Sequence, residues 1–144
     1  MWTKQCGRDL ATVVIHYRSK EGIETKMVVC SAYCPSDAKE IPPPQKVEDF
    51  IGDCEAEGLD LVIGYDANSH HTVWGSSDCN NRGDTLLEFL GTTKLGILNV
   101  GCKPMFKNSV REEVLDISLA SRSVTSKMRS WRVSEENLCL IIAT

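Results

Sequence analysis

The chain lacks three features, each of which would have indicated a broad class of protein. No apolar run approaches the roughly 20 residues that a membrane-spanning helix needs, and the first ten residues are too polar for a secretory signal peptide. Positive charge is not in excess, since the formal net charge is −4. These absences argue against a membrane protein, a secreted precursor and a protein that binds nucleic acid through bulk charge. Any contact with nucleic acid therefore has to be local.

Cysteine is present, but no regular spacing organises it. The seven cysteines are an odd number and lie scattered along the chain. Cys30 and Cys34 are close in sequence, yet no second pair and no nearby histidine completes the four ligands of a structural zinc site. We therefore expect reduced thiols in an intracellular compartment, and neither a disulfide framework nor a zinc site.

What remains is an ordinary globular composition, with 42% hydrophobic and 25% charged residues. A length of 144 residues favours one domain over residues 1–144. Apolar residues spaced i, i+3, i+4 and i+7 from Val47 to Cys54 predict an amphipathic helix, and a shorter helix is expected after Gly83. Apolar and β-branched runs predict strands at Leu10–Tyr17, Lys26–Tyr33, Leu59–Tyr65, Leu95–Asn99 and Glu112–Ser121, with a further strand beginning at Trp131–Val133. The predicted fold class is α/β.

The densest polar cluster follows the predicted strand Leu59–Tyr65. Asp66 and Asn68 are spaced i, i+2, so they lie on one face if the strand geometry continues. A carboxylate beside a carboxamide can orient a water molecule and hydrogen-bond a phosphate oxygen. The alternative is structural, because Asp and Asn after a strand are common turn formers.

Other polar residues extend this cluster. His70 and His71 can gain or lose a proton near neutral pH, and Arg82 offers a planar donor fork that suits phosphate. Asp116 is unusual because Asp is depleted in the middle of strands and a buried carboxylate needs a partner. The structural alternative for Asp116 is that its carboxylate accepts a hydrogen bond from a neighbouring loop, and Tyr33 can equally be an ordinary aromatic at a strand end.

Taken together, these segments resemble a known family. The patterns G-x-D-A-N-x-H-H-x-x-W-G-S, N-x-R-G and L-D-I-S-L-A-S are similar to those of the endonuclease/exonuclease/phosphatase superfamily. More narrowly, they resemble the endonuclease domain of non-LTR retrotransposons of the jockey type. The resemblance runs from Arg8 to about Glu136. The matching residues are Gly64, Asp66, Ala67, Asn68, His70, His71, Trp74, Gly75, Ser76, Asn80, Arg82, Gly83 and Leu115–Ser121.

This resemblance implies both a fold and an activity. The fold would be a partial four-layered α/β sandwich of the DNase I type. The activity would be that of a Mg²⁺- or Mn²⁺-dependent endonuclease that nicks target DNA in the nucleus, leaving a 3′ hydroxyl that primes reverse transcription. A phosphatase acting on a small phosphorylated molecule shares the superfamily chemistry. The H-H-x-x-W-G-S and N-x-R-G segments, however, resemble the retrotransposon branch.

The resemblance also implies roles for individual residues. Asp66 would orient or activate the attacking water, Asn68 and Tyr33 would contact the phosphate, and Asp116 would be the partner of a catalytic histidine. The implied contacts to DNA are His70, His71, Trp74, Arg82 and Ser118.

The two ends of the chain depart from the family pattern. The family opens with a strand that carries an Asn and then a metal-ligating Glu, and it closes with Ser-Asp-His. Residues 1–9 and Ser134–Thr144 show neither pattern. We therefore expect a domain truncated at both ends, in which the family's metal ligands are largely missing. The alternative function is a catalytically inactive copy that binds nucleic acid, or associates with itself through unpaired sheet edges.

Overall fold

A five-stranded mixed sheet carries the fold in the computed structural model, which describes residues 7, 9–99, 106–107, 112–113 and 116–132. Its strand order is β1-β2-β3-β7-β4, and β5 and β6 form a separate pair. The strands are β1 Leu10–Arg18, β2 Glu24–Tyr33, β3 Asp60–Asp66, β4 Leu95–Ile97, β5 Phe106–Lys107, β6 Glu112–Glu113 and β7 Asp116–Ser121.

Strand β3 lies at the centre of the sheet. β1 and β2 form an antiparallel hairpin, and β2 then runs parallel to β3. β7 is antiparallel to both β3 and β4. Because β2 and β3 are parallel and β7 is reversed, the ends of β2 and β3 meet the beginning of β7 at one end of the sheet. The polar cluster predicted after β3 therefore lies beside residues from two other strands.

Three α-helices are described, namely α1 Gln45–Ala56, α2 Asn81–Gly91 and α3 Arg122–Thr125. The predicted apolar stripe of α1, from Val47 to Cys54, is buried. Helix α2 was expected after Gly83 but begins at Asn81, because the Asn80 side chain accepts a hydrogen bond from Gly83 N and caps the helix. Within the described ranges, no helix is long and apolar enough to cross a bilayer.

The core lies on one face of the sheet. Alternate residues of the three central strands point into it together with the apolar faces of α1 and α2. Burial raises the pKa of the Cys30 and Cys54 thiols to about 12, so both are unreactive near neutral pH. The opposite face is more open, and Val13 and Ile15 on β1 are 60% and 41% exposed.

The last three predicted strands differ from those observed. The predicted strand Glu112–Ser121 appears as β6 and β7, and residues 114–115 between them lie outside the described part of the chain. Trp131 and Arg132 are not in a strand, and Val133 lies outside the described residues. Strand β4 ends at Ile97 and not at Asn99, because the Asn99 side chain replaces backbone pairing there.

Candidate active site

Three of the predicted site residues form one row across the sheet. Tyr33 on β2 is in register with Asp66 on β3, and Asp66 is in register with Asp116 on β7. Directly paired residues on neighbouring strands point to the same face. Their chain neighbours Tyr65 and Ile117 point into the core, so the row faces the more open side of the sheet. The fold thus brings together residues that are far apart in sequence.

The two carboxylates of this row have no cationic partner among the residues that the structure describes. Burial, followed by the negative charge of Asp66, raises the pKa of Asp116 above the usual range of an aspartate. Among the described residues, Asp66 Oδ1 accepts a hydrogen bond only from Asn68 N, which lies 3.4 Å away. Within the described residues, neither carboxylate forms an ion pair with a lysine, arginine or histidine. The pair therefore favours a positively charged ligand.

A divalent cation fits this pair of residues. Mg²⁺ prefers oxygen ligands and is often held by one or two protein carboxylates together with substrate phosphates and water. Asp66 and Asp116 supply two such carboxylates from adjacent strands. Their mutual repulsion, which raises the pKa of Asp116, would be relieved by a bound cation.

Asn68 lies in a backbone conformation that its sequence position did not suggest. The strand ends at Asp66, and Asn68 has a φ of 47°, in the left-handed region where Asn is enriched among non-glycine residues. Asp66 and Asn68 are therefore brought together by a turn and not by strand alternation. Asn68 Nδ2 donates to Cys34 O at 3.0 Å. One amide hydrogen and Oδ1 have no partner among the described residues. The hydrogen can be donated to a bound phosphate, and Oδ1 can accept a hydrogen bond from water.

Arg82 lies against the backbone of the site, where the sequence had suggested a contact with DNA. Its Nε donates to Asn68 O at 3.1 Å, and Nη2 donates to Pro35 O and to Ala67 O, both at 3.0 Å. Longer contacts run from Nη2 to the carbonyl and the thiol of Cys34. These N–H groups are thus occupied by protein carbonyls. Nη1 has no partner among the described residues. A contact between Nη1 and a phosphate therefore stays a prediction.

The other residues of the N-x-R-G segment bind the same loop. Asn80 Oδ1 accepts from Gly83 N at 2.8 Å and from His70 N at 3.1 Å. A Cβ atom on Gly83 would lie 1.9 Å from His70 O, so only glycine permits this close approach. The first turn of α2 is therefore held against the loop that follows β3.

The two histidines and the tryptophan occupy different environments. His70 Nδ1 lies 2.8 Å from Asp78 Oδ1, and His71 Nε2 lies 3.7 Å from Asp84 Oδ1. Trp74 is 1% exposed and its indole donates to Ser69 O at 3.2 Å. The expected contact of Trp74 with DNA disagrees with the structure, because the Trp74 ring fills the core beneath the loop and is not available on the surface.

A second cluster of ligand-type atoms lies near the first turn of α2. One ligand-type atom each of His71, Cys79 and Asp84 lies within 4.8 Å of the others. His71 Nδ1, however, accepts a hydrogen bond from Val73 N at 3.0 Å. A neutral imidazole then carries its hydrogen on Nε2, the atom that faces Asp84, and a protonated nitrogen cannot bind a metal. The hydrogen bonding of His71 therefore argues against a metal centre at this cluster.

Asn99, which follows β4, is hydrogen-bonded to β7, the strand that carries Ser118. Ser118 is half-buried and pairs with Gly64 on the same face as the row of Tyr33. Asn99 Oδ1 accepts from Ser118 N at 2.7 Å, and Asn99 Nδ2 donates to Asp116 O at 3.0 Å. The sequence reasoning missed this role of Asn99. The only signal was a polar amide directly after the apolar residues Leu95–Leu98.

Comparisons with known proteins agree with the predicted family and fold. The family model described as "Endonuclease-reverse transcriptase" matches residues 27–139. A solved structure titled as the endonuclease domain of TRAS1, a telomere-specific non-LTR retrotransposon, is 26% identical and superposes with a TM-score of 0.70. That match covers 89% of this chain and 57% of TRAS1, so the chain spans little more than half of that domain. No curated protein sequence matches the chain.

A second solved structure supports the fold alone. The catalytic domain of Xenopus laevis APE2 is 14% identical and has a TM-score of 0.63, with 82% of this chain and 47% of that one covered. Both solved structures have DNase I-like folds, the fold that the sequence predicted for this chain. With its residues 27–139 matched by the family model, the chain belongs to the endonuclease–reverse transcriptase family of retrotransposon endonucleases, within the endonuclease/exonuclease/phosphatase superfamily.

Proposed function

We propose that this domain cleaves one strand of target DNA in a reaction that depends on Mg²⁺ or Mn²⁺, and that the resulting 3′ hydroxyl primes reverse transcription in the nucleus. The observation that carries the proposal is the row of Tyr33, Asp66 and Asp116, in register across three strands at one end of the sheet. Membership of a retrotransposon endonuclease family supports the choice of DNA as the substrate.

Each residue of the row has a chemical task. Asp66 accepts a proton from the attacking water and orients it, while the Asn68 amide and the Tyr33 hydroxyl hydrogen-bond phosphate oxygens. The Tyr33 side chain is 42% exposed, so its hydroxyl is accessible to a substrate. Asp66 and Asp116 would hold the cation, which when bound neutralises charge on the phosphate and on the leaving oxygen. Asp116 would then be an oxygen ligand, whereas the family resemblance implies the partner of a histidine that Ser134–Thr144 do not supply.

DNA contact in this proposal is local. The formal net charge of −4 provides no general attraction to the phosphate backbone. His70, His71, Ser118 and the Nη1 group of Arg82 are the proposed contacts around the row. Each of them can donate a hydrogen bond to a phosphate oxygen.

Nicking of supercoiled plasmid is the direct test. We expect conversion to open circles with Mg²⁺, and loss of conversion with EDTA or in Asp66→Ala. Asp53→Ala is the matched control, because Asp53 is exposed on α1 and lies outside the row. Nicking that persists in Asp66→Ala would show a contaminating nuclease. A folded chain without nicking would overturn the proposed activity.

A second candidate function is an inactive form that binds DNA or itself. It is favoured by β1, an edge strand of nine residues whose Val13 and Ile15 side chains are largely exposed. Unpaired edges of this kind invite pairing with another chain. Sedimentation velocity and gel shift on the same preparation test this candidate. A monomer that does not bind DNA would contradict it.

A further inference from the structure

We propose that Arg82 is a positioning residue of the active site, and that it holds the loop after β2 and the loop after β3 at a fixed separation. The first loop follows Tyr33, and the second carries Asn68. The inference rests on the proposed function, since those two side chains are the proposed phosphate contacts. It assigns to the arginine of the N-x-R-G segment a task other than contact with DNA.

The guanidinium joins both loops through one rigid plane. Nε donates to Asn68 O at 3.1 Å, on the loop after β3. Nη2 carries two hydrogens, and its two shortest contacts, both 3.0 Å, are to Ala67 O on that loop and to Pro35 O on the other. The 3.3–3.4 Å contacts to Cys34 share those same hydrogens. A single planar group thus bridges the two loops and restrains the distance between them.

Few other hydrogen bonds join the two loops in the described chain. Cys34 N donates to Asp66 O at 2.8 Å, and Asn68 Nδ2 donates to Cys34 O at 3.0 Å. The contacts of Arg82 add charge-assisted hydrogen bonds, which are roughly twice as strong as neutral ones. Arg82 is therefore a principal restraint on the relative position of Tyr33 and Asn68.

Arg82 is itself held in place on α2. It is the second residue of the helix, after the cap at Asn80 and before Gly83, which packs against the His70 carbonyl. The carbonyl of Asn68, to which Nε donates, belongs to a residue with a φ of 47°. A non-glycine residue in that region costs free energy unless its surroundings hold it there. Arg82 supplies one of the contacts that hold Asn68 in this conformation.

Lysine cannot substitute for this geometry. An ammonium is a point charge with three donors on a flexible stem and has no planar fork. It can satisfy one loop or the other, but it does not impose a separation between them. Arg82→Lys thus keeps the charge and removes the spacing, which makes it the informative variant.

The test compares Arg82→Lys and Arg82→Ala with the control Arg18→Ala. Arg18 is exposed and pairs with Glu24 at the hairpin end of β1, 3.6 Å away. We expect kcat for plasmid nicking to fall by about 10²-fold in both Arg82 variants, the size that a misplacement of about 1 Å can cause. KM should change little. Methylguanidinium should restore activity to Arg82→Ala, and methylammonium at equal ionic strength should not.

Three results would overturn the proposal. Variants that melt earlier yet keep the wild-type kcat at a temperature where they are folded would show a purely structural arginine. A raised KM with a weaker salt dependence and an unchanged kcat would show a direct phosphate contact. Failure of methylguanidinium to rescue a folded Arg82→Ala, together with full activity of Arg82→Lys, would show that only charge matters.

A readout that does not need activity separates this proposal from the proposed function. If the wild-type protein does not nick DNA, the proposed function fails, but amide hydrogen exchange can still report on the two loops. Arg82→Lys should then accelerate exchange at Cys34 and Asn68, and leave the β1–β2 hairpin unchanged. Unchanged exchange at Cys34 and Asn68 would overturn the positioning role whatever the activity.

Discussion

Strand β3 begins and ends with an aspartate, and the two carboxylates have opposite surroundings. Asp60, at the beginning, accepts from the Tyr17 hydroxyl at 3.2 Å and from the Ser123 hydroxyl, and Lys127 Nζ lies 3.6 Å away. These partners come from β1 and from the segment around α3. A buried carboxylate with this many partners links parts of the structure that are distant in sequence.

Asp66, at the other end of the strand, has almost none of this compensation. It pairs across the sheet with a second carboxylate, Asp116, and in the described part of the chain it accepts one hydrogen bond, a long one from Asn68 N. Buried polar groups in native proteins are normally satisfied, so a pair of half-buried carboxylates without cationic partners in the described chain points to a ligand. One strand thus carries a structural aspartate at its beginning and, in the proposed function, the aspartate that orients water at its end.

Replacing Asp66 by asparagine should have the largest effect on nicking. Asp66→Asn removes the carboxylate that orients water and helps hold the cation, so we expect plasmid nicking to fall by at least about 10²–10³-fold. Stability should not fall, because the repulsion with Asp116 is also removed. Nicking assays and urea denaturation on one preparation measure both quantities. A destabilised Asp66→Asn would contradict the distinction between the two ends.

For Asp60, at the other end of β3, we expect the opposite result, namely lower stability and unchanged nicking. Asp60→Asn deprives the hydroxyls of Tyr17 and Ser123 of a charged acceptor, so the free energy of unfolding should fall by about 1–3 kcal/mol. The nicking rate should stay at the wild-type level where the variant is folded. Urea denaturation measures the change in stability, and the nicking assay on the same preparation measures the rate. A stable variant with impaired nicking would assign Asp60 to the active site.

Gly83 tests how rigidly the functional end is held. Alanine at this position would place a Cβ atom 1.9 Å from His70 O, so the loop or the helix has to move. We expect unfolding free energy to fall by about 1–3 kcal/mol, the range for overpacked sites, with a loss of nicking. Gly52→Ala on α1 is the matched control, since nothing lies within 4 Å of its added Cβ. It should be neutral or stabilising by about 0.5–1 kcal/mol. Equal effects at both positions would refute the close-contact argument.

The smallest expected effect is on the pH dependence of stability. Because the folded pKa of Asp116 is raised by burial and by Asp66, its contribution is present below the ordinary carboxyl pKa and is lost as pH rises through the raised value. Asp116→Asn removes this loss. The free energy of unfolding at pH 7 should therefore increase, by under about 1 kcal/mol because water screens a half-exposed pair.

Urea denaturation in EDTA as a function of pH measures this difference, with Asp53→Asn as the control for an exposed aspartate. The advantage of Asp116→Asn should disappear in acid, where the wild-type carboxylate is protonated in both the folded and the unfolded chain. A variant that is less stable than wild type at pH 7 would show that Asp116 has a stabilising partner.

Much of the fold could be predicted from local pattern. The stripe from Val47 to Cys54, the hairpin of β1 and β2 and the central strand β3 all follow from periodicity, which a segment carries within itself. The boundaries that were missed depend on hydrogen bonds of polar side chains beside the elements, which periodicity does not show. Asn80 lengthens α2 at its beginning, and Asn99 takes over the pairing where β4 was expected to continue.

The candidate site divides in the same way. The sequence alone predicted Tyr33, Asp66, Asn68 and Asp116 as site residues. Their pattern resembles that of one family, and their side chains suit the binding of phosphate and water. Only the tertiary structure placed Tyr33, Asp66 and Asp116 in one row, since strand order and register are set by contacts distant in sequence. It also decided that Trp74 lies in the core and that most of the guanidinium of Arg82 faces carbonyls. Residue type determines what a side chain can bind, and the fold around it determines what it meets.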